Sequence, residues 1–409
     1  MKHKFLLLMA LVLVLSIGTA AIAQSEVEPI RIGVLASLTG PLAQLGADGV
    51  DGVQMAVAEF GGQIAGRPIE IFIEDDAADP NTSIEKTRAL VNRDNVDIVL
   101  GPLSGSAGEA VKNNADEWPD TTIIVAGAAA EDITMRGVKP NVWRTSYTGA
   151  QPMFPLGDWA YNNGYRRVVT IAEDYAFPYA QVGGFMHTFC AAGGSVPQKF
   201  WVPLGTSDYS SIIAQIPTDV DALFVALGGT DAVNFVTQMD EYGLLGDIPI
   251  LGGTVTIDAA QLASVGELLE GVVSGSIMTG DLTTPEFQAL DKAFGELRGR
   301  APSLFVENYY RATKWALLAA HRVHGNVEDQ EAYRAALQAT SLVAPASFVH
   351  FDDFHNVVTD VYLNQVVNIN GEWRNSVIQV YPMVSQFWLS DPEEYQAQPP
   401  FSRDHPDCP

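Results

Sequence analysis

The chain has 409 residues, 47% of them hydrophobic, and a formal net charge of -26 at pH 7. That acidity excludes a nucleic acid as partner, because binding a polyanion depends on basic side chains that release counterions. Two cysteines are too few for a disulfide scaffold.

Lys2 and Lys4 precede an almost unbroken apolar run, Phe5 to Leu15, and then small residues ending Ala21-Ile22-Ala23. This is the layout of a cleavable secretory signal over residues 1–23. The run is shorter than the ~20 residues a membrane-spanning helix needs, and no cysteine follows it to carry a lipid. Cleavage after Ala23 is expected, giving a periplasmic or extracellular chain of about 386 residues, longer than the ~250–300 one core usually fills. Two lobes are therefore expected. The mature charge, about -28 without the two lysines, favours a soluble monomer.

From there short β-branched runs alternate with amphipathic ones. Ile30 to Leu35 reads as a buried strand, and Gly46 to Phe60 as a helix with Val50, Val53, Val57 and Phe60 on one face. Ile69 to Ile73 is a strand. Asp79-Pro80 starts a helix, with Asp at the cap and Pro at the first helical position. Val96 to Leu100 is strand, Ser106 to Asn114 helix and Thr122 to Val125 strand. The rhythm returns with strands at Val168 to Ala172, Ala222 to Leu227 and Ile248 to Leu251. Such alternation implies α/β architecture with mainly parallel sheets. Ser303 to His324 is one long helix. Val357 to Ile369 begins a hairpin whose turn is Asn370-Gly371, with Glu372 to Val380 returning. The tail, residues 389–409, is polar and Pro-rich and is expected to be loosely held. Cys190 in an apolar helix and Cys408 in that tail argue against pairing, without deciding it.

Two strand-helix sets of similar length suggest a coarse duplication, and open parallel sheets bind ligands at the carboxyl ends of their strands. Two such sheets face to face make a cleft.

Other chemistry fits poorly. Gly101-Pro-Leu-Ser104-Gly105 has one residue too many between glycine and serine for a nucleophile elbow. His321 and His324 lack the four-residue step and the Glu of a zinc protease helix. His350 and His355 flank Asp352 and Asp353, a group read as structural. The acidic stretch Glu74 to Glu85 has Asp79 where a calcium loop needs Gly. No phosphate or dinucleotide motif is present, so neither a cofactor nor catalysis is expected.

Several segments, in order, resemble the leucine/isoleucine/valine-binding family of periplasmic solute-binding proteins. They are Ile30 to Pro41, Glu74-Asp75-Asp76 with Asp79-Pro80, Val99 to Ser106, Arg144-Thr145-Ser146, and Glu173 to Phe177. Pro302-Ser303, Glu307-Asn308-Tyr309 and Pro382 to Phe387 complete the set. The resemblance implies a type I periplasmic binding fold, two Rossmann-like lobes joined by three crossings near residues 144–148, 279–283 and 348–352. The first lobe would hold 28–147 and 282–348, and the second 148–281 and 349–388. It also implies hinge closure on a small carboxylate, delivery to an ABC transporter permease, and, as the alternative, a ligand-sensing receptor role.

By the same resemblance the ligand contacts are Ser104, Gly105 and Ser106 on the carboxylate. Gly127, Ala128 and Ala129 allow close backbone approach. Tyr175 and Phe177 supply rings, and Gly229, Thr230, Asp231 and Thr254 come from the second lobe. Thr254 stands where amino-acid binders commonly carry an acid for the ligand ammonium. A buried ammonium without a carboxylate partner is costly. Either Asp231 replaces that acid, or the ligand is an acid without an amino group, such as an aromatic acid.

Overall fold

The computed structural model describes residues 27–408; the expected secretory signal lies outside them. Strand β1 (Ile30–Ala36) is followed by α1 (Ala43–Glu59), β2 (Gln63–Ile64), β3 (Arg67–Asp75), α2 (Pro80–Asn92), β4 (Ile98–Leu100), α3 (Gly105–Asn113), β5 (Thr122–Val125) and β6 (Val142–Arg144). These strands make one six-stranded sheet in the order β2-β3-β1-β4-β5-β6. Apart from the β2–β3 hairpin the pairs are parallel. Hydrophobic β-branched runs buried on both faces suit that environment.

The chain then enters a second sheet through α4 (Met153–Asn162), β7 (Val168–Glu173), α5 (Ala176–Ala191), β8 (Lys199–Val202), α6 (Ser210–Ile213), β9 (Ala222–Ala226), α7 (Gly229–Glu241), β10 (Ile250–Gly252), α8 (Ala259–Val265) and β11 (Val273–Ser276). It returns to the first body as α9 (Pro285–Arg298), α10 (Leu304–Arg322) and α11 (Gln330–Gln338). There α10 packs along α1, with Trp315, Ala316 and Tyr309 in the same core as Ile32, Val34 and Leu100. Then β12 (Leu342–Val343) and β13 (Phe348–Phe351) lead to β14 (Val357–Ile369) and β15 (Glu372–Val384), before α12 (Pro392–Gln396). The second sheet runs β12-β13-β14-β11-β10-β9-β7-β8, with β15 on β14. Val349 and Phe351 of β13 pack in the first core while their strand pairs with β14, so this segment belongs to both bodies.

The local signals act as their chemistry requires. Asp79 accepts the Thr82 N–H at 2.8 Å and caps α2, with Pro80 at its first position. Asn370 (φ 56°) and Gly371 (φ 92°) form the β14–β15 turn, the left-handed pair a two-residue hairpin favours. The acidic triplet is structural: buried Asp76 accepts from Ser37 Oγ at 2.7 Å and Ser83 Oγ at 3.1 Å, tying β1, β3 and α2 together.

Two expectations about the C-terminal end are overturned. Cys190 and Cys408 are disulfide-bonded, 218 residues apart in sequence. The tail is held, because Tyr395 and Phe387 share a buried cluster with Phe154 and Ala150. The polar, Pro-rich composition concealed two aromatic anchors, Tyr395 and Phe401.

Asp79→Ala should lower stability by about 1 kcal/mol, the usual cost of a lost helix N-cap, measured as a lower urea midpoint with unchanged slope. A shift below a few tenths of a kcal/mol would show that the cap is redundant here.

Candidate functional site: a cleft between two sheets

Three segments join the bodies, and their centre is the guanidinium of Arg144, fully buried at the end of β6. It donates to Asn356 Oδ1 at 2.6 Å, Thr134 Oγ1 at 2.5 Å, Gln386 Oε1 at 3.3 Å and the Ala130 carbonyl. Asn356 in turn donates to Gln151 Oε1 at 3.2 Å, and Gln386 to Asp352 Oδ2 at 2.8 Å. His355 stacks on Trp143 with centroids 4.2 Å apart and its Nδ1 lies 3.0 Å from the Val142 carbonyl. Its role is structural, as read from sequence.

Beyond this knot the strand ends of the two sheets meet. A narrow cavity is lined by Leu42, Leu45, Leu103, Gly127 and Phe305 from the first body, Tyr147 from the first crossing, and Tyr175, Phe177, Gly228 and Val255 from the second. No charged side chain lines it. Tyr147 meets Phe177 edge-on at 6.4 Å, and Tyr175 lies tilted against Phe177 at 6.3 Å. Burial pushes both tyrosine hydroxyls above their usual range, so they stay protonated and able to donate. The cleft is shut: a Cβ on Gly105 would lie 2.8 Å from Phe177 Cβ, and one on Gly229 (φ +54°) would lie 2.5 Å from the Pro41 carbonyl oxygen across the gap.

The sequence-predicted residues divide between the cavity and its surroundings. Gly127, Tyr175 and Phe177 line it, and Ala129 lies in the same apolar cluster. Ser104 is buried and begins α3 with a hydroxyl that makes no capping bond. Gly105 packs on Phe177. Ser106 faces away: its hydroxyl accepts the Ala176 N–H at 3.2 Å across the cleft and lines an outer groove with Glu109, Asp174 and Phe401. Ala128 packs into the first core beside Ile133. Thr230 is exposed.

Asp231, the candidate partner for an ammonium, and Thr254 are both engaged with other groups. Asp231 accepts the Gly205 N–H at 2.8 Å, and burial raises its carboxyl to about 6. Thr254 donates to the Gly275 carbonyl at 2.9 Å and accepts from Gln181 Nε2 at 2.8 Å. Glu173, fully buried behind Gly228, accepts that residue's N–H at 2.7 Å, and desolvation pushes its carboxyl well above the usual range. It is held neutral.

Sequence reasoning missed Leu42, Leu45, Leu103, Tyr147, Val255 and Phe305. Their apolar character at strand and loop ends is indistinguishable from core by pattern alone. It also missed Asp258, which caps α8 through Ala260 N–H at 2.9 Å and, across the cleft, accepts the Leu304 N–H of α10 at 2.7 Å. Asp-x-x-Gln ahead of an apolar run was the available signal.

Two α/β bodies joined by three crossings and shut on an apolar cavity at their strand ends define a hinged solute-binding protein. Residues 29–372 match the family described as Periplasmic binding protein, and the chain belongs to it. It is 32% identical to an ABC transporter substrate-binding protein from Sphaerobacter thermophilus, with TM-score 0.81 over 88% of this chain and 99% of that one. It is 26% identical to a solute-binding protein from Rhodopseudomonas palustris solved with 3,4-dihydroxybenzoic acid, with TM-score 0.83 over 88% and 98%. A Leu/Ile/Val-binding protein homologue of Brucella melitensis is 24% identical over 379 residues, 90% of this chain and 95% of that one.

Burial raises Asp258 from 3.8 to about 6. Its contribution to stability is therefore fully present below about pH 4 and lost as pH rises through 6. Asp258→Asn should abolish that part, worth up to about 3 kcal/mol for two pH units. Urea unfolding of both proteins at pH 4 and 7 measures it, and parallel pH dependence would refute the assignment.

Proposed function

We propose that this chain is the periplasmic solute-binding component of an ABC importer, whose cargo is a small aromatic carboxylic acid. The observation that carries the cargo reading is the cavity lining, which is apolar and tyrosine-rich, with Asp231, the potential ammonium partner, committed to the Gly205 N–H. An α-amino acid would bring a charged ammonium into this lining, and its desolvation would go uncompensated. A flat ring instead finds Phe177, Tyr147 and Tyr175 to pack against, and tyrosine hydroxyls available to ring substituents.

The carboxylate would sit at the start of α3. The first-turn N–H groups and the Ser104 hydroxyl favour an anion there, and Leu103 and Gly127 on either side reach the cavity. Ser106 is left out of this anchor because its hydroxyl bridges the bodies. The relative from Rhodopseudomonas palustris, with its dihydroxybenzoate, supports the same cargo class. The lobes would divide as 28–147 with 282–348 and 148–281 with 349–388. Closure would follow from ligand contacts made with both lobes at once.

Thermal unfolding of the ligand-stripped secreted protein, with benzoate, 3,4-dihydroxybenzoate, leucine and valine, tests the cargo. The aromatic acids should raise the melting temperature, corresponding to about 2.7 kcal/mol at one hundred times the dissociation constant. Phe177→Ala should abolish most of the shift. Stabilisation by leucine or valine alone would overturn the aromatic-acid reading.

A further inference from the structure

The C-terminal segment touches both bodies at once. On the first body, Arg136 follows the short turn Glu131–Ile133, whose Ile133 lies in the core with Leu35 and Val99. Its guanidinium donates to the carbonyls of Gln396 at 3.1 Å and Gln398 at 2.9 Å. Gln396 Nε2 donates back to the Met135 carbonyl at 2.7 Å, and buried Glu131 accepts the Phe401 N–H at 2.9 Å. Phe401 lies over Gly183 of α5, where a Cβ would fall 2.2 Å from the ring.

Past Phe401 the contacts change sides. Arg403 pairs with Asp174 at 3.0 Å, Lys199 Nζ donates to the Pro406 carbonyl at 3.0 Å, and Cys408 is bonded to Cys190 at the end of α5. The segment from Gln396 to Cys408 therefore leaves one body, crosses the mouth of the outer groove lined by Pro400, Phe401, Ser106 and Asp174, and ends covalently on the other.

We propose that this segment is a strap that holds the two lobes together and limits how far the cleft opens. Separating the lobes must pull Phe401 off either Gly183 or Glu131, because the disulfide prevents the far end from following the first body. The strap thus raises the fraction of ligand-free molecules in the closed form, and apparent affinity scales with the fraction that is competent to bind. The inference rests on the reading of two lobes moving about a hinge but not on the identity of the cargo.

Small-angle X-ray scattering of the ligand-free full-length secreted protein tests it, comparing wild type with Cys190→Ser/Cys408→Ser. The variant should show a larger radius of gyration and maximum dimension, and a dissociation constant for benzoate about threefold or more higher. Superimposable scattering profiles would overturn the strap. Should the double variant lose cooperative unfolding, Phe401→Ala with the disulfide intact is read by the same criterion. If benzoate binds neither protein, the cargo reading fails and the scattering alone decides the strap.

Discussion

The buried guanidinium of Arg144 is the constraint on which the two-body arrangement depends. A cation with no solvent exposure is tolerated only when its donors are met. Here the acceptors come from three separate parts of the chain: the turn after β5, Asn356 just before β14, and Gln386 beyond β15. Segments more than two hundred residues apart are thereby brought to one point. The neutral acceptors Asn356, Thr134 and Gln386 leave the charge spread over a network, with Asp352 behind Gln386. Such a knot fixes where the bodies join.

On the far side of the hinge the polarity reverses. Carboxyl groups near the cleft are buried and accept from backbone N–H groups: Asp231 from Gly205, Asp258 from Ala260 and Leu304, Glu173 from Gly228. Each is raised by burial, and none lines the cavity. The charge that an amino-acid cargo would require is present close by but spent on holding loops and helix ends in place. In the aromatic-acid reading, selectivity would arise from what the surroundings have withdrawn from the cleft.

The fold was legible because its signals are local. The Asp79-Pro80 start, the Asn370-Gly371 turn and the alternating strands and helices each follow from residues a few positions apart. The site was legible in part. Gly127, Tyr175 and Phe177 reach the cavity, whereas Ser106 and Asp231, equally plausible by position, point elsewhere because of partners at Ala176 and Gly205. The direction of a side chain at a loop depends on neighbours from other elements, and no spacing rule carries that information. The disulfide was concealed for the same reason, although an even number of cysteines in a chain expected to be secreted was a hint. Its two halves look unrelated until Phe401 has docked on α5.

The flush contact of Gly105 with Phe177 has a kinetic side. A cleft that shuts ring against bare backbone narrows the way out for a solute while the bodies stay together. Release of a cargo would therefore wait on reopening, and whatever holds the cleft shut would lengthen its residence. In the importer reading, whatever unloads this protein must force that contact apart together with the cargo's own contacts to both bodies.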